Sequence, residues 1–168
     1  MRIMVNNVEM DFEKNSLIAD IAKNVLGENF KKIYVARYNN KIVYLYSPVL
    51  EEGSIEFLGW ESEVGKKAYR HTSSHILAQA VKRLYPEVKV AIGPAIQDGF
   101  YYDFDFLNPI TSSDLAGIEE EMKKIIKERI PVIRQELSRA EAIDEFSKKG
   151  EIYKVELIKD LPEEVTIS

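Results

Sequence analysis

Two Asn-Asn dipeptides, Asn6-Asn7 and Asn39-Asn40, each lie between short runs whose residues favour β-strands. Asparagine tolerates the positive φ that a two-residue hairpin turn requires, so each dipeptide predicts a β-hairpin. With a further strand after the turn at residues 51–53, the predicted strands are Arg2–Val5, Val8–Phe12, Ile33–Tyr38, Lys41–Leu45 and Ser54–Leu58.

One helix is predicted between the second and third of these strands. Ser16 is its predicted N-cap and Gly27 its predicted stop, since serine caps helix N-termini and glycine commonly follows the last turn. Its predicted inner face carries Leu17, Ile18, Ile21, Ala22 and Val25. The order ββαβββ predicts a small ubiquitin-like β-grasp domain over residues 1–60.

Residues 61–66 are polar and predict a short linker, and residues 67–168 predict a second, mixed α/β domain, which makes the fold class α+β. Its first helix is expected over residues 66–85, where Pro86 ends it. The apolar stripe predicted for this helix is Ala68, Thr72, Ile76, Ala80 and Leu84. Strands are expected over Lys89–Ile92 and along the alternating residues Phe100–Phe106.

The last third of the chain predicts two helices that begin with capping boxes, Thr111 with Asp114 and Ser138 with Glu141. The apolar side of the first helix carries Leu115, Ile118, Met122, Ile125 and Ile126. Pro131 ends that helix, and Gly150 ends the second. Strands are predicted over Val132–Leu137 and, from alternating apolar residues, over Ile152–Ile158.

Composition excludes several classes of function. The chain has no cysteine, so neither a disulfide framework nor thiol catalysis is available to it. A net charge of −5 argues against a protein that coats nucleic acid by charge alone. No stretch is apolar enough to span a membrane and no secretion signal is recognised, so we expect no membrane partner and a cytoplasmic location.

The chain's 2 histidines, His71 and His75, stand four residues apart on the first helix of the second domain and project from the same face. They can converge on a water, a substrate group or a metal, and imidazole suits proton transfer near neutral pH. The zincin motif is excluded because Thr72 stands where that motif needs glutamate, and a catalytic zinc generally needs a third protein ligand. A purely structural pair, bonded to carbonyl groups, is an equally open interpretation.

Two further candidates lie outside this helix. Alternation places Tyr101 and Tyr102 on opposite faces of the predicted strand, so one ring is expected to pack while the other lines a cleft. Lys154 lies opposite Tyr153 and Val155 in the predicted final strand, where most lysines are simply solvated.

Three segments resemble one known family. The runs Tyr69–Pro86, Ala91–Asp105 and Gly150–Ile158 are similar to the N-terminal editing region of bacterial threonyl-tRNA synthetases. Residues 1–60 resemble the small TGS domain that precedes that region in this family. The resemblance covers essentially the whole chain. It implies an enzyme that charges tRNA(Thr) with threonine using ATP and removes misattached serine by hydrolysing Ser-tRNA(Thr).

By position in these motifs, the resemblance implies catalytic roles for His71, His75 and Lys154 and a substrate-binding role for Tyr102, with the two histidines also as candidate metal ligands. An imidazole would orient or deprotonate the attacking water, and the ammonium would stabilise the oxyanion or position the terminal ribose. The phenol would read the serine hydroxyl. No cofactor is expected in this chain, whereas zinc, ATP and magnesium are expected in the parent enzyme's catalytic core. The implied partner is the tRNA(Thr) 3′ end, and a homodimer would form through that core.

Two features of the family do not occur in these 168 residues. One is the Cys-Arg-Gly-Pro-His-type segment that completes the editing pocket, and the other is the class II aminoacylation core. We therefore expect a fragment of a longer synthetase, truncated inside the editing (second additional) domain, that alone neither charges tRNA nor edits well. Two alternatives stay open: the TGS-containing regulatory region of a nucleoside kinase, and a binding module without catalytic activity.

Overall fold

The computed structural model describes residues 1–167, which form two compact units, Met1–Arg70 and a second that begins at His71. Both units combine helices with β-strands, which is compatible with an α+β fold. Within these residues no helix has both the length and the apolar character needed to cross a lipid bilayer.

A mixed five-stranded sheet forms the first unit. Its strands are β1 (Arg2–Val5), β2 (Val8–Asp11), β3 (Ile33–Tyr38), β4 (Lys41–Val43) and β5 (Gly53–Gly59). They lie in the order β2-β1-β5-β3-β4, with β1 and β5 parallel and the other neighbours antiparallel. Both predicted hairpins are confirmed, because the backbone turns with φ of 49° and 64° at Asn6 and Asn7 and of 47° and 64° at Asn39 and Asn40.

Helix α1 (Ile18–Leu26) packs on this sheet, but its predicted cap is wrong. The helix begins two residues beyond Ser16, without a capping side chain. Its first two amide groups donate instead to the backbone carbonyls of Ser47 and Leu45, at 3.1 and 2.6 Å, so a serine cap is not needed. Gly27, with φ of 54°, ends the helix as predicted. The core between helix and sheet consists of Ile3, Val5, Ile18, Ile21, Ala36, Val49 and Ile55.

Helix α2 (Glu63–Leu84) begins earlier than predicted because Ser62 caps it. The Ser62 hydroxyl accepts a hydrogen bond from the Gly65 amide at 2.9 Å, as an N-cap side chain does. Most of the predicted linker is therefore helical.

The stripe predicted for α2 is wrong at Thr72 and Leu84, which are exposed. Ala80 is fully buried as predicted, and Ser74, Ala78 and Val81 are buried beside it. On a helix of 3.6 residues per turn, side chains four residues apart differ in direction by about 40°, so a stripe built only from such spacings turns away from one face. Residues spaced alternately four and three apart stay on one face.

Short strands contribute to the second unit: β6 (Lys89–Val90) pairs with β9 (Phe104–Asp105), and β7 (Ala95–Ile96) with β8 (Gly99–Phe100). The strand predicted over residues 100–106 is thus interrupted at residues 101–103, although its alternation is confirmed. The core of this unit consists of Ala78, Ala80, Val81, Val88, Val90, Ile118 and Ile125, with Tyr102, Phe104 and Phe106 among the partly buried residues that pack on it.

Helix α3 (Ser112–Glu128) starts at its predicted capping box, where the Asp114 carboxylate accepts from the Thr111 amide at 2.7 Å. Ile118, Met122 and Ile125 reach the core as predicted. The predicted stripe is too wide, because Leu115 and Ile126 are each 58% exposed.

Two strands predicted in the last third are wrong. Residues 132–136 form no strand, and β10 (Leu137–Ser138) pairs with β11 (Thr166–Ile167). The predicted strand Ile152–Ile158 is helix α5 (Ile152–Lys159), which packs against α4 (Arg139–Lys148) and buries two residues one turn apart. The capping box that opens α4 is confirmed.

Candidate active site

Helix α2 brings the two histidines into contact. The Nε2 atoms of His71 and His75 are 3.0 Å apart, and the rings meet edge to face with centroids separated by 4.5 Å. Ser74 lies between them in sequence and is fully buried. Its Oγ is 2.8 Å from the His71 carbonyl and 2.9 Å from the Gly93 carbonyl, so its single hydroxyl proton can serve either acceptor. This serine was missed by the sequence analysis.

The contact between the imidazoles restricts their protonation. Of two facing nitrogens, one must donate and the other accept, so the pair in this geometry accommodates one shared N–H but not two. Partial burial of the ring lowers the pKa of His75, and the positive charges of His71 and Lys154 lower it further. His75 is exposed as a whole residue, so only part of its ring is shielded from water. The neutral, proton-accepting imidazole is therefore favoured near neutral pH.

A cavity of about 440 Å³ adjoins this pair. Its polar wall consists of His75, Gln79, Lys82, Arg83, Tyr102 and Lys154. Three of the four predicted site residues thus line this cavity. His71 does not line it but contacts His75, which does. Tyr101, the alternative aromatic candidate, is 46% exposed and does not line this cavity.

Tyr102 is held by close packing. Its ring stacks on Phe104, with centroids 5.0 Å apart and an angle of 22° between the planes. A β-carbon on Gly93 would lie only 2.0 Å from the ring, so the ring packs directly against the glycine backbone. Burial raises the pKa of Tyr102, and the Glu151 carboxylate adds to this effect. The phenol therefore stays protonated and can both donate and accept a hydrogen bond.

Lys154 reaches the cavity from helix α5 and not from the strand that was predicted. The neighbouring Tyr153 hydroxyl donates to Asp105 at 2.9 Å and ties the helix to β9. The Lys154 ammonium lies 5.3 Å from the centroid of the Phe146 ring and 3.6 Å from Glu151 Oε2.

Glu151 is the second residue that sequence analysis missed. It is 7% exposed, and its Oε1 accepts a hydrogen bond from Lys82. The other basic residue of the cavity, Arg83, is engaged by Glu128 through two hydrogen bonds of 2.7 and 2.8 Å and by Glu121 at 3.2 Å. Arg83 is therefore largely neutralised, and Lys154 carries the cavity's less compensated charge.

The residues present do not complete a metal site. The 3.0 Å separation of the two Nε2 atoms suits a pair of ligands, but a catalytic zinc generally requires three from the protein. Across residues 1–167, no group of three histidine, cysteine, aspartate or glutamate side chains is placed to hold an ion.

The known proteins described here, to which this chain is similar, share one name. No protein-family signature matches the chain. The chain is 50% identical over 158 residues to the threonine–tRNA ligase of Desulforamulus reducens, covering 94% of the chain and 25% of the ligase. It is 52% identical over 159 residues to that of Clostridium botulinum and 50% identical over 163 residues to that of Caldanaerobacter subterraneus, again covering 25% of each. The chain spans about a quarter of the length of these curated relatives, and its homologues are threonine–tRNA ligases.

Proposed function

We propose that this chain is the N-terminal part of a threonine–tRNA ligase and contributes the hydrolytic removal of serine from Ser-tRNA(Thr). The observation that carries the proposal is the convergence of His75, Tyr102 and Lys154 on one cavity, with His71 bonded to His75. Under this proposal, residues 1–60 are a TGS domain of the β-grasp type. The partner is the tRNA(Thr) 3′ end in the cytoplasm, and other parts of the ligase charge the tRNA and form a homodimer.

The proposed reaction is hydrolysis of the ester between serine and the terminal ribose. A neutral imidazole accepts a proton from water as the water oxygen bonds to the ester carbonyl carbon. The Lys154 ammonium stabilises the negative charge on the tetrahedral oxygen. The carbon–oxygen bond to the ribose then breaks, and the ribose oxygen takes up the proton held by the imidazole. The products are serine and tRNA with a free hydroxyl.

The Tyr102 phenol is proposed to bind the serine hydroxyl. Serine differs from threonine by one methyl group, which is worth only about 1–3 kcal/mol in a single binding step. A cavity separate from the aminoacylation site that rejects the larger threonine adds a second step of selection between the two amino acids. The close packing of Tyr102 on Gly93 supports this role, because a ring fixed on one side cannot retreat to admit an extra methyl group.

Two lysines provide a matched test of the proposed chemistry. Lys149 lies 5.7 Å from the same Phe146 ring as Lys154, but it pairs with Glu145 and is not part of the cavity wall. In the ligase that carries this chain, Lys154→Ala is expected to slow Ser-tRNA(Thr) hydrolysis by about 100-fold, the usual effect of losing one oxyanion donor. Lys149→Ala is expected to leave the rate unchanged. Equal rates for the two variants would remove Lys154 from the mechanism.

The isolated 168-residue chain tests a separate expectation. Because the segment that completes the editing pocket in the family is missing from it, we expect slow hydrolysis of Ser-tRNA(Thr) by this chain alone. Hydrolysis as fast as that of the whole ligase would show that residues 1–168 contain a complete site.

A further inference from the structure

We propose that Glu151 is a positioning residue whose carboxylate, shared between two lysines, holds the Lys154 ammonium at the cavity wall. This inference rests on the proposed hydrolysis for its functional meaning. Its geometric content stands on the contacts of Glu151 alone.

The Glu151 carboxylate is asymmetrically bound. Oε1 accepts a hydrogen bond from Lys82, which lies 69 residues earlier in the chain, on α2. Oε2 lies 3.6 Å from the Lys154 ammonium, too far for a hydrogen bond. Within residues 1–167, Oε2 is the buried side-chain polar atom that has no hydrogen-bond partner. The carboxylate is therefore hydrogen-bonded on the Lys82 side and has an acceptor without a hydrogen bond on the Lys154 side.

The backbone around Glu151 keeps this carboxylate in place. The Glu151 amide donates to the Phe146 carbonyl at 3.0 Å, and the Glu151 carbonyl accepts from the Val155 amide at 3.1 Å. The residue is thus anchored at both ends where α4 passes into α5. Lys154 is the third residue of α5 and Glu151 immediately precedes that helix, so the lysine stem begins about one turn from the carboxylate.

Burial explains why such an arrangement indicates a role beyond stability. A buried acceptor without a partner disfavours folding, and the side chain of Glu151 is only 8% exposed. An oxygen that attracts the Lys154 ammonium without taking one of its hydrogen bonds leaves all three N–H groups available to a ligand. The negative charge of the same carboxylate also adds to the raised pKa of the Tyr102 phenol, which is due first to burial.

The geometric part can be tested by the ¹⁵N NMR signals of lysine ammonium groups in the 168-residue chain. Glu151→Gln is expected to increase the mobility of the Lys154 ammonium to that of an exposed lysine. Lys82→Met removes the competing partner, so the Glu151 carboxylate interacts with Lys154 alone. This variant is expected to decrease the mobility of the Lys154 ammonium. Glu156→Gln, an exposed position on the same helix, is the control and should change nothing.

Opposite effects of these two variants are not expected from a carboxylate that merely supports the fold. Unchanged mobility in both would overturn the proposal. If Glu151→Gln does not fold, Lys82→Met decides the question by itself, because unchanged Lys154 mobility in that variant contradicts the shared carboxylate.

The functional part requires hydrolysis of Ser-tRNA(Thr) by the ligase that carries this chain. Glu151→Gln is expected to lower the rate by roughly 10- to 100-fold, the effect of misplacing a reacting group by about 1 Å. In a Lys154→Ala background the same change should have no further effect, because Glu151 acts through Lys154. A full additional loss there would contradict the positioning role. If Lys154→Ala has no effect on hydrolysis, the proposed function fails, whereas the ammonium mobilities still judge the positioning of Lys154.

Discussion

Replacing Gly93 with alanine is predicted to displace Tyr102 from its packed position. The added β-carbon would lie 2.0 Å from Cδ2 and 2.4 Å from Cε2 of the ring. Favourable carbon–carbon contacts begin near 3.5 Å, so the ring must move by about 1.5 Å. An aromatic ring cannot yield by bending, and this one is also stacked on Phe104.

The expected loss of stability follows from two opposing effects. Overpacking a core lowers the free energy of unfolding by about 1–3 kcal/mol. Alanine also restricts the unfolded chain, which offsets about 0.4–1 kcal/mol. We therefore expect Gly93→Ala to destabilise the chain by about 1–2 kcal/mol, measured by urea unfolding followed by circular dichroism.

Gly117 on α3 is the matched control, because a β-carbon there would meet no atom within 4 Å. Gly117→Ala should stabilise the chain by about 0.5–1 kcal/mol, as expected in a helix interior. In a Tyr102→Ala background the clash at position 93 is absent, so Gly93→Ala should lose its cost. The same loss with and without the Tyr102 ring would refute the packing argument.

Three further predictions concern stability. Because burial lowers the pKa of His75 below 6.5 in the folded chain, the unfolded state binds more protons below that pH. Stability should therefore fall as the pH drops below 6.5, and His75→Gln should weaken this dependence in urea unfolding at pH 8 and pH 5. Ser138→Ala removes the cap of α4 and should cost about 1 kcal/mol by thermal unfolding, whereas Ser147→Ala, exposed on the same helix, should cost little. Asn39→Ala loses both a tolerated positive φ and a hydrogen bond from the Ser54 amide at 3.0 Å. Asn39→Ala should therefore destabilise more than Asn7→Ala, by about 1 kcal/mol, and equal losses would contradict the contribution of the hydrogen bond.

Local signals account for the parts of the fold that were predicted well. The Asn-Asn turns require a positive φ that few other residues tolerate, so their hairpins follow from the sequence. The capping boxes at Thr111 and Ser138 likewise depend on residues only three positions apart.

The errors arose where distant packing decides the local structure. The alternating apolar residues of 152–158 suit a strand or a buried helix, and packing against α4 selects the helix. At Ser16, backbone carbonyls from residues 45 and 47 took over the role of a cap. Neither contact is visible in a local pattern.

The residues of the candidate site likewise divide into those that a local pattern predicts and those that it does not. The spacing of His71 and His75 on one helix predicts that both imidazoles project from one face, and in the structure the two rings meet. Tyr102 and Lys154 were identified by family resemblance, since nothing in their spacing from the histidines places them in one cavity. Glu151 was missed because its hydrogen bond from Lys82 joins residues 69 positions apart.

The central claim is that the cavity beside the histidine pair receives the seryl end of tRNA. The most direct measurement is an NMR titration of the chain with adenosine that carries serine at its 3′ position through a stable amide bond. We predict shifts at His75, Tyr102 and Lys154, none in the sheet of residues 1–60, and weaker shifts with the threonyl analogue. Shifts confined to another cavity of the unit that begins at His71, such as the one lined by residues that include Leu84 and Phe106, or no shifts at saturating ligand, would contradict the claim.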